Sequence, residues 1–458
     1  MRSLKSTFAF VLFFLASLHL ALGPALAQRR ALPLVRDAET EALLRDYVTP
    51  ILKAAGLGTS DIHIVLINDT AFNAFVVDGR RIFINVGVLT QSKTPNEVIG
   101  VLAHETGHIA GGHMVRFRDA LAKAQTIAIL GMLLGAAAGV AGAAAGSDDA
   151  IRGGVGVMHG GNTVAQRSLL TYQRGEEASA DRAAISYLER TGQSGIGMLE
   201  TFRRFQDQQL FSARFADPYA LSHPLARDRI TGLERLVESS KFRDTKDPPA
   251  LQALHDMMRA KIIAFTEHPR TVARKYPESD KSIAASYARA IAQYRNHDLR
   301  RALRNIDALI KQQSSNPFFW ELKGQALIEN GRPEEAIEPY RKAVALAPRE
   351  GLLRIALGYS LVASDKEKYL SEGISSLENA LTREPDSGLG YRQLAIAYGR
   401  VGKVALADLA TARGMFVSGD FQNAKRYATR AQRKLTRGTP AWLQADDIVT
   451  YKAPKPAR

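Results

Sequence analysis

The chain has 458 residues, with 61 Lys and Arg against 46 Asp and Glu, and no cysteine. That length holds two or three domains of roughly 150 residues each, and a hydrophobic content of 46% excludes wholesale disorder. Without cysteine there is no disulfide scaffold, iron–sulfur cluster or thiol catalyst, so any bound metal must be held by His, Asp or Glu.

Arg2 and Lys5 precede an apolar run over residues 8–18, Pro24 breaks it, and Ala25-Leu26-Ala27 has the small-x-small form of a cleavage site. This is the three-part pattern of a secretory signal peptide cut after Ala27. The remaining chain carries 59 basic and 46 acidic groups, a net of +13. An exported chain does not meet the chromosome, so nucleic acid is excluded as a partner.

Residues 36–56 show helical spacing with Pro50 inside. Residues 62–67 and 82–88 are β-branched runs read as strands, and Asp78-Gly79 between them signals a hairpin. Thr94, Pro95 and Glu97 form a capping box that starts a helix running to about residue 113. Residues 126–146 are uncharged and rich in Ala and Gly. They are read either as a buried or loosely ordered hairpin over the site, or as a membrane contact. The Gly-rich stretch 153–161 reads as mobile, and 168–192, 196–210 and 250–265 as helices. Residues 241–249 end in Pro248-Pro249, a candidate boundary.

From about residue 283 the chain repeats. Trp320, Gly324, Leu327, Gly331, Ala336, Tyr340, Ala343 and Pro348 fall on the tetratricopeptide (TPR) pattern. Equivalent small positions at Ala302, Ala336, Gly373 and Ala407 step by 34, 37 and 34, which implies one three-residue insertion. Residues 281–458 hold 29 basic and 18 acidic groups. Such an excess serves either as a solvated face or as a contact for anionic lipid or an acidic partner.

The chemistry centres on His104-Glu105-Thr106-Gly107-His108. On a helix, positions i and i+4 share a face, so two neutral imidazoles can hold one Zn²⁺ while Glu105 acts as general base on water. The HExxHxxGxxH arrangement is disfavoured because its third position is Met114, with His113 one residue short. Glu177 and Asp181 are also i and i+4 on a predicted helix. One can ligate zinc while the other accepts an N–H from a ligand imidazole; the rival reading, a solvated acidic first turn, suits Glu176 better than the pair. His223, before Pro224, can stabilise an oxyanion or fill the fourth metal position and hold the site inactive.

These residues resemble a family. HETGH, then Glu177 to Asp181 as ExxAD, then Ser222-His223-Pro224 with Arg229 six residues after His223, are similar to the gluzincin metalloproteases that include HtpX and the CAAX prenyl proteases. Signal peptide, protease domain and C-terminal TPRs together resemble the family's BepA-like periplasmic branch, over roughly residues 35–430. The resemblance implies His104, His108 and Glu177 as ligands of one zinc per chain, and Glu105 as the base. It places Asp181 and Arg229 behind the ligands, His223 in the catalytic site, and Asn73-Ala74-Phe75 along a substrate cleft. It also implies a periplasmic zinc endopeptidase acting in quality control or assembly of outer-membrane proteins. Its partners would be misfolded or assembling outer-membrane proteins and the assembly machinery, reached through the TPR groove. The alternative is a chaperone-like TPR binding protein with a latent, His223-autoinhibited protease. The 126–146 insertion departs from a soluble member and leaves peripheral membrane contact open.

The expected fold is mainly α: a gluzincin-type α+β protease domain with a small sheet, then an α-solenoid of TPR helix pairs. The expected boundaries are a signal peptide at 1–27, protease at 28–265, linker at 266–282, TPR-like repeats at 283–437 and a tail at 438–458.

Overall fold

The computed structural model describes residues 32–144, 148–211, 223 and 227–452; the signal-peptide pattern lies outside them. Two units divide between Leu34 and Val35, and everything below from Val35 onward lies in the second.

A small four-stranded sheet has the order β1-β2-β4-β3, from β1 (Leu34–Val35), β2 (His63–Ile67), β3 (Ala74–Asp78) and β4 (Arg81–Asn85). β2 runs parallel to β4, and β3 antiparallel to it, with Phe75 opposite Phe83 and their rings stacked at 5.3 Å. The hairpin expected at Asp78-Gly79 joins β3 to β4, and Asp78 accepts from Arg80 N. The strand expected over 82–88 ends at Asn85, because Val86–Gln91 turns helical. A buried β-branched run does not by itself distinguish strand from buried helix.

Helix α1 (Ala38–Ala54) is capped by Asp37, α2 is Val86–Gln91, and α3 (Pro95–Ala110) starts at Thr94. Thr94 accepts from Glu97 N, while the Glu97 carboxylate accepts from Lys93 N and is gripped by Arg204. Leu44, Ile51, Ile82, Ile84, Val98, Val101, Leu102, Met198 and Phe202 make one core with α3 at its centre.

Helices α4 (His113–Ala144) and α5 (Asp148–Arg190) pack along each other as a long hairpin. The Gly-rich 153–161, expected to be mobile, lies within helix α5 despite its poor helix propensity. The apolar stretch is not buried: Leu133 and Leu134 are 62% and 63% exposed. Helices α6 (Ile196–Phe211) and α7 (Arg227–Ser239) close the domain.

Helix α8 (Pro249–Thr266) belongs to two cores at once. Met258 and Ile262 join the core built around α3, whereas Met257, Ala260 and Ile263 join the core of the helices that follow. Between them the buried Lys261 pairs with Asp37 at 2.5 Å and with Glu39 and Glu321 at 3.3 Å, and Tyr287 donates to Glu39. Residues expected as linker hold a short helix, α9 (Pro269–Lys275), started by an N1 proline.

Five helix pairs follow: α10 (Ile283–Arg295) with α11 (Leu299–Gln312), α12 (Pro317–Glu329) with α13 (Pro333–Leu346), α14 (Gly351–Ala363) with α15 (Leu370–Leu381), α16 (Gly388–Arg400) with α17 (Val404–Val417), and α18 (Phe421–Gln432) with α19 (Pro440–Thr450). A Cβ on Gly324 would lie 2.7 Å from the Tyr340 ring, which is why that repeat position is glycine. The three-residue insertion sits in the third pair: its turn, 364–369, contains a 3₁₀ segment where the neighbouring pairs use three residues. The expected tail is instead largely α19, whose Ala445 and Ile448 pack on Ala424 and Ala428. Pro440 stands at the start of that helix, so it opens an element rather than ending one. A cavity of about 700 Å³ lies between the two halves, lined by Arg36, Lys261, Phe265, Glu321, Leu352 and Leu389 among others.

Candidate active site

Helix α3 carries His104, Glu105 and His108 into the core, all buried. Gly107 is the reason a second helix reaches them: a Cβ there would stand 2.9 Å from the Ala180 carbonyl. That contact seats α5 against α3 and sets Glu177 and Asp181, one turn apart, beside the two histidines. His223 arrives from the segment before α7 and is also buried.

One donor atom from each of His104, His108, Glu177 and His223 falls within 4.8 Å of the others. His104 Nε2 lies 3.1 Å from His108 Nε2, 3.3 Å from His223 Nδ1 and 3.3 Å from Glu177 Oε2. Glu177 is 3.4 Å from His108 Nε2 and 3.1 Å from His223 Nδ1. A tetrahedral zinc with bonds of 2.0–2.1 Å separates its ligands by about 3.3–3.4 Å. Five of the six donor pairs lie at 3.1–3.4 Å, with Glu177 turning Oε1 to His108 and Oε2 to His104 and His223, so three nitrogens and a carboxylate suit that ion in chemistry and in most of their spacing.

The supporting shell is as specific. His104 Nδ1 faces Asp181 Oδ1 at 2.9 Å, and Arg229 grips Asp181 through two hydrogen bonds of 2.8 and 2.9 Å. Arg229 Nη1 also lies 3.0 Å from Glu177. His223 Nε2 donates to the carbonyl of Ala74 on the edge strand β3, which leaves Nδ1 unprotonated toward the other donors. Both Glu105 oxygens are buried and make no hydrogen bond among the described residues, although Oε1 lies 3.4 Å from His223 Nε2.

Burial pushes the Glu105 carboxyl up, against the pull of His223 and His104. Burial, then the neighbouring His104, holds His108 well below the usual imidazole range, in the neutral form a metal needs. For His104 burial acts downward too, but Asp181 and Glu177 outweigh it and lift its pKa to about 10.

The structure brings together all seven site residues expected from sequence: His104, Glu105, His108, Glu177, Asp181, His223 and Arg229. Sequence reasoning missed His113, Glu176 and Arg116. His113 Nδ1 is 2.9 Å from His108 Nδ1, and Glu176 pairs with His113 at 2.8 Å and Arg116 at 2.6 Å. Glu176 is no residue of a solvated first turn, because α5 starts at Asp148 and places it mid-helix. The available signal was Gly111-Gly112-His113 just after the motif, a turn that returns a histidine to it.

Residues 38–237 match Peptidase family M48, and residues 287–350 match the tetratricopeptide repeat. The chain is 26% identical over 397 residues to a putative beta-barrel assembly-enhancing protease of Vibrio cholerae, covering 83% of this chain and 77% of that protein. It is 22% identical over 423 residues to the beta-barrel assembly-enhancing protease of Yersinia pestis, covering 90% and 83%. Among solved structures, MamA MSR-1 C2 aligns with 36% of this chain and 93% of its own at 18% identity and a TM-score of 0.31. A metal-ready cluster on facing helices thus lies in a segment similar to Peptidase family M48, and the helical repeats that follow include a segment similar to the tetratricopeptide repeat.

Proposed function

We propose that this chain is a periplasmic zinc endopeptidase that acts on outer-membrane β-barrel proteins during their assembly or quality control. The observation that carries the chemistry is the convergence of His104, His108 and Glu177, with the unbonded Glu105 carboxylate beside them. Zinc held there supplies Lewis-acid polarisation of a peptide carbonyl and an acidified water. Glu105 takes the proton of the attacking water and returns it to the leaving amine. Asp181, fixed by Arg229, holds His104 in the tautomer that presents Nε2. The substrate class rests on the names of the relatives, and the periplasmic location on the N-terminal pattern. The TPR half, which lines the cavity against the protease domain, recruits substrate or docks on the assembly machinery. The test is bound zinc and casein cleavage by residues 28–458: one zinc per chain with cleavage supports the reading, and a chain that binds no zinc removes it.

A specific observation favours a latent form of the same enzyme. Were a metal held by His104, His108, Glu177 and His223 together, the protein would supply four donors, as in closed structural sites, and would leave no position for water. The same residue occupies the Ala74 carbonyl of the edge strand, where an extended peptide would pair. An open state populated at about 0.1–10% makes His223→Ala raise casein cleavage roughly tenfold or more, with zinc retained. A fall in cleavage would instead assign His223 to the oxyanion.

The α4–α5 hairpin supports peripheral membrane contact. Ile127, Ile129, Leu130, Met132, Leu133 and Leu134 are exposed around α4, which is apolar enough over His113–Ala138 to cross a membrane. Arg118, Lys123, Arg167 and Arg174 are exposed at the hairpin's base, where anionic headgroups would lie. Residues 28–458 should co-float with phosphatidylglycerol vesicles. Leu133→Glu with Leu134→Glu should lower the bound fraction roughly tenfold or more, each buried leucine being worth about 1.5–3 kcal/mol. Equal flotation of the double variant, or none by wild type, removes the contact.

A further inference from the structure

We infer that His113 and Glu176 are positioning residues for the metal ligand His108, forming a second hydrogen-bond chain that ends, like the one behind His104, on an arginine-clamped carboxylate. The inference rests on the metal-site reading above and extends it to residues outside the donor set.

The proton count admits one arrangement. His108 presents Nε2 to the other donors, 3.1 Å from His104 Nε2 and 3.4 Å from Glu177. A ligating Nε2 carries no proton, so the proton of the neutral ring sits on Nδ1. Nδ1 lies 2.9 Å from His113 Nδ1. Two Nδ1 atoms at that distance need one donor and one acceptor, so His113 accepts there and carries its own proton on Nε2. That nitrogen lies 2.8 Å from Glu176 Oε2. Arg116 closes the chain with two bonds to the Glu176 carboxylate, at 3.2 and 2.6 Å. His104 shows the same order with one link fewer: Nδ1 to Asp181, and Asp181 to two nitrogens of Arg229.

The backbone is shaped for the chain. Helix α3 ends at Gly111, and Gly112 adopts φ +64°, a left-handed turn favouring glycine. A Cβ at Gly111 would stand 2.2 Å from His113 Nε2, so a side chain there would push the imidazole off its place. Arg116 also donates to the Gly111 carbonyl. Because His113 and Arg116 start α4 while Glu176 belongs to α5, the chain also ties together the base of the hairpin.

Hydrogen-bond partners behind a ligand imidazole typically change metal affinity 10–100-fold when removed. The test is zinc affinity of the full mature chain by competition with a chromophoric chelator, with the visible spectrum of the cobalt(II) form as the second readout. His113→Ala is expected to weaken zinc binding about 10–100-fold and to shift the cobalt bands. Glu176→Gln should act in the same direction by less. His113→Asn, whose Oδ1 stands where Nδ1 stood, should recover most of the affinity. If His113→Ala fails to fold, Glu176→Gln carries the test. Affinities within twofold of wild type and unchanged cobalt bands in every folded variant among His113→Ala and Glu176→Gln overturn the positioning role alone. A wild type that binds neither metal overturns the metal site and this inference with it.

Discussion

Glu105→Gln is expected to lower casein cleavage by about 10²–10⁴-fold, the usual worth of a general acid–base group, while zinc stays at one per chain. Glutamine has the shape of the carboxylate it replaces but takes no proton from water. Glu105 is fully buried beside His104 and makes no hydrogen bond among the described residues. The substitution therefore breaks no hydrogen bond to the ligands, and burial has already raised the affinity of this carboxyl for a proton. Initial cleavage rates and metal analysis on the same preparation check it. Where the latent site keeps wild-type turnover low, the comparison is made in the His223→Ala background. Activity within a few-fold of the parent would remove Glu105 as the base, and loss of zinc would show that the amide had disturbed the ligand helix.

The second large effect is on stability. Arg229→Ala is expected to destabilise the metal-free protease domain by about 3–5 kcal/mol, the range found when one partner of a buried ion pair is removed. Arg229 is itself buried and serves two buried carboxylates, Asp181 through two hydrogen bonds and Glu177 at 3.0 Å. Removing it leaves both without their guanidinium in a site water enters poorly. Urea unfolding followed by fluorescence, in chelator, reads the change from the shift in midpoint. Adding Asp181→Asn should return part of the loss, since one of the stranded charges is then gone. A loss under about 1 kcal/mol, the size of a surface pair, would mean that solvent reaches these carboxylates.

Parts of the architecture were legible because local chemistry specifies them. The Thr94 cap, the Pro95 start and the i, i+4 spacing of His104 and His108 require only helix geometry, and all appear in α3. The 34-residue period forecast the helix pairs, and even the three-residue insertion found its place in the turn at 364–369. Other features depend on neighbours distant in sequence. Whether 86–88 continued a strand, whether 153–161 was helical, and whether 126–146 was covered all turned on which surfaces met. The helices that begin at Pro269 and Pro440 fell in the expected linker and tail, because a proline that opens a helix and one that ends it look alike in sequence.

The site divides the same way. Residue identity and spacing by themselves determined a two-histidine metal face, its adjacent base and a carboxylate pair able to join it, since each lies within one turn of a single helix. Tertiary structure decided the rest. The close approach at Gly107 brought α5 onto α3 and so selected Glu177 as a donor and Asp181 as the partner of His104. The Gly111-Gly112 turn placed His113 on His108. His223, 46 residues from Glu177 in sequence, entered the donor set only through the folding of the chain around the core. A hydrogen bond acts over about 3 Å, so the groups that share this site are those the packing of helices brings within that reach.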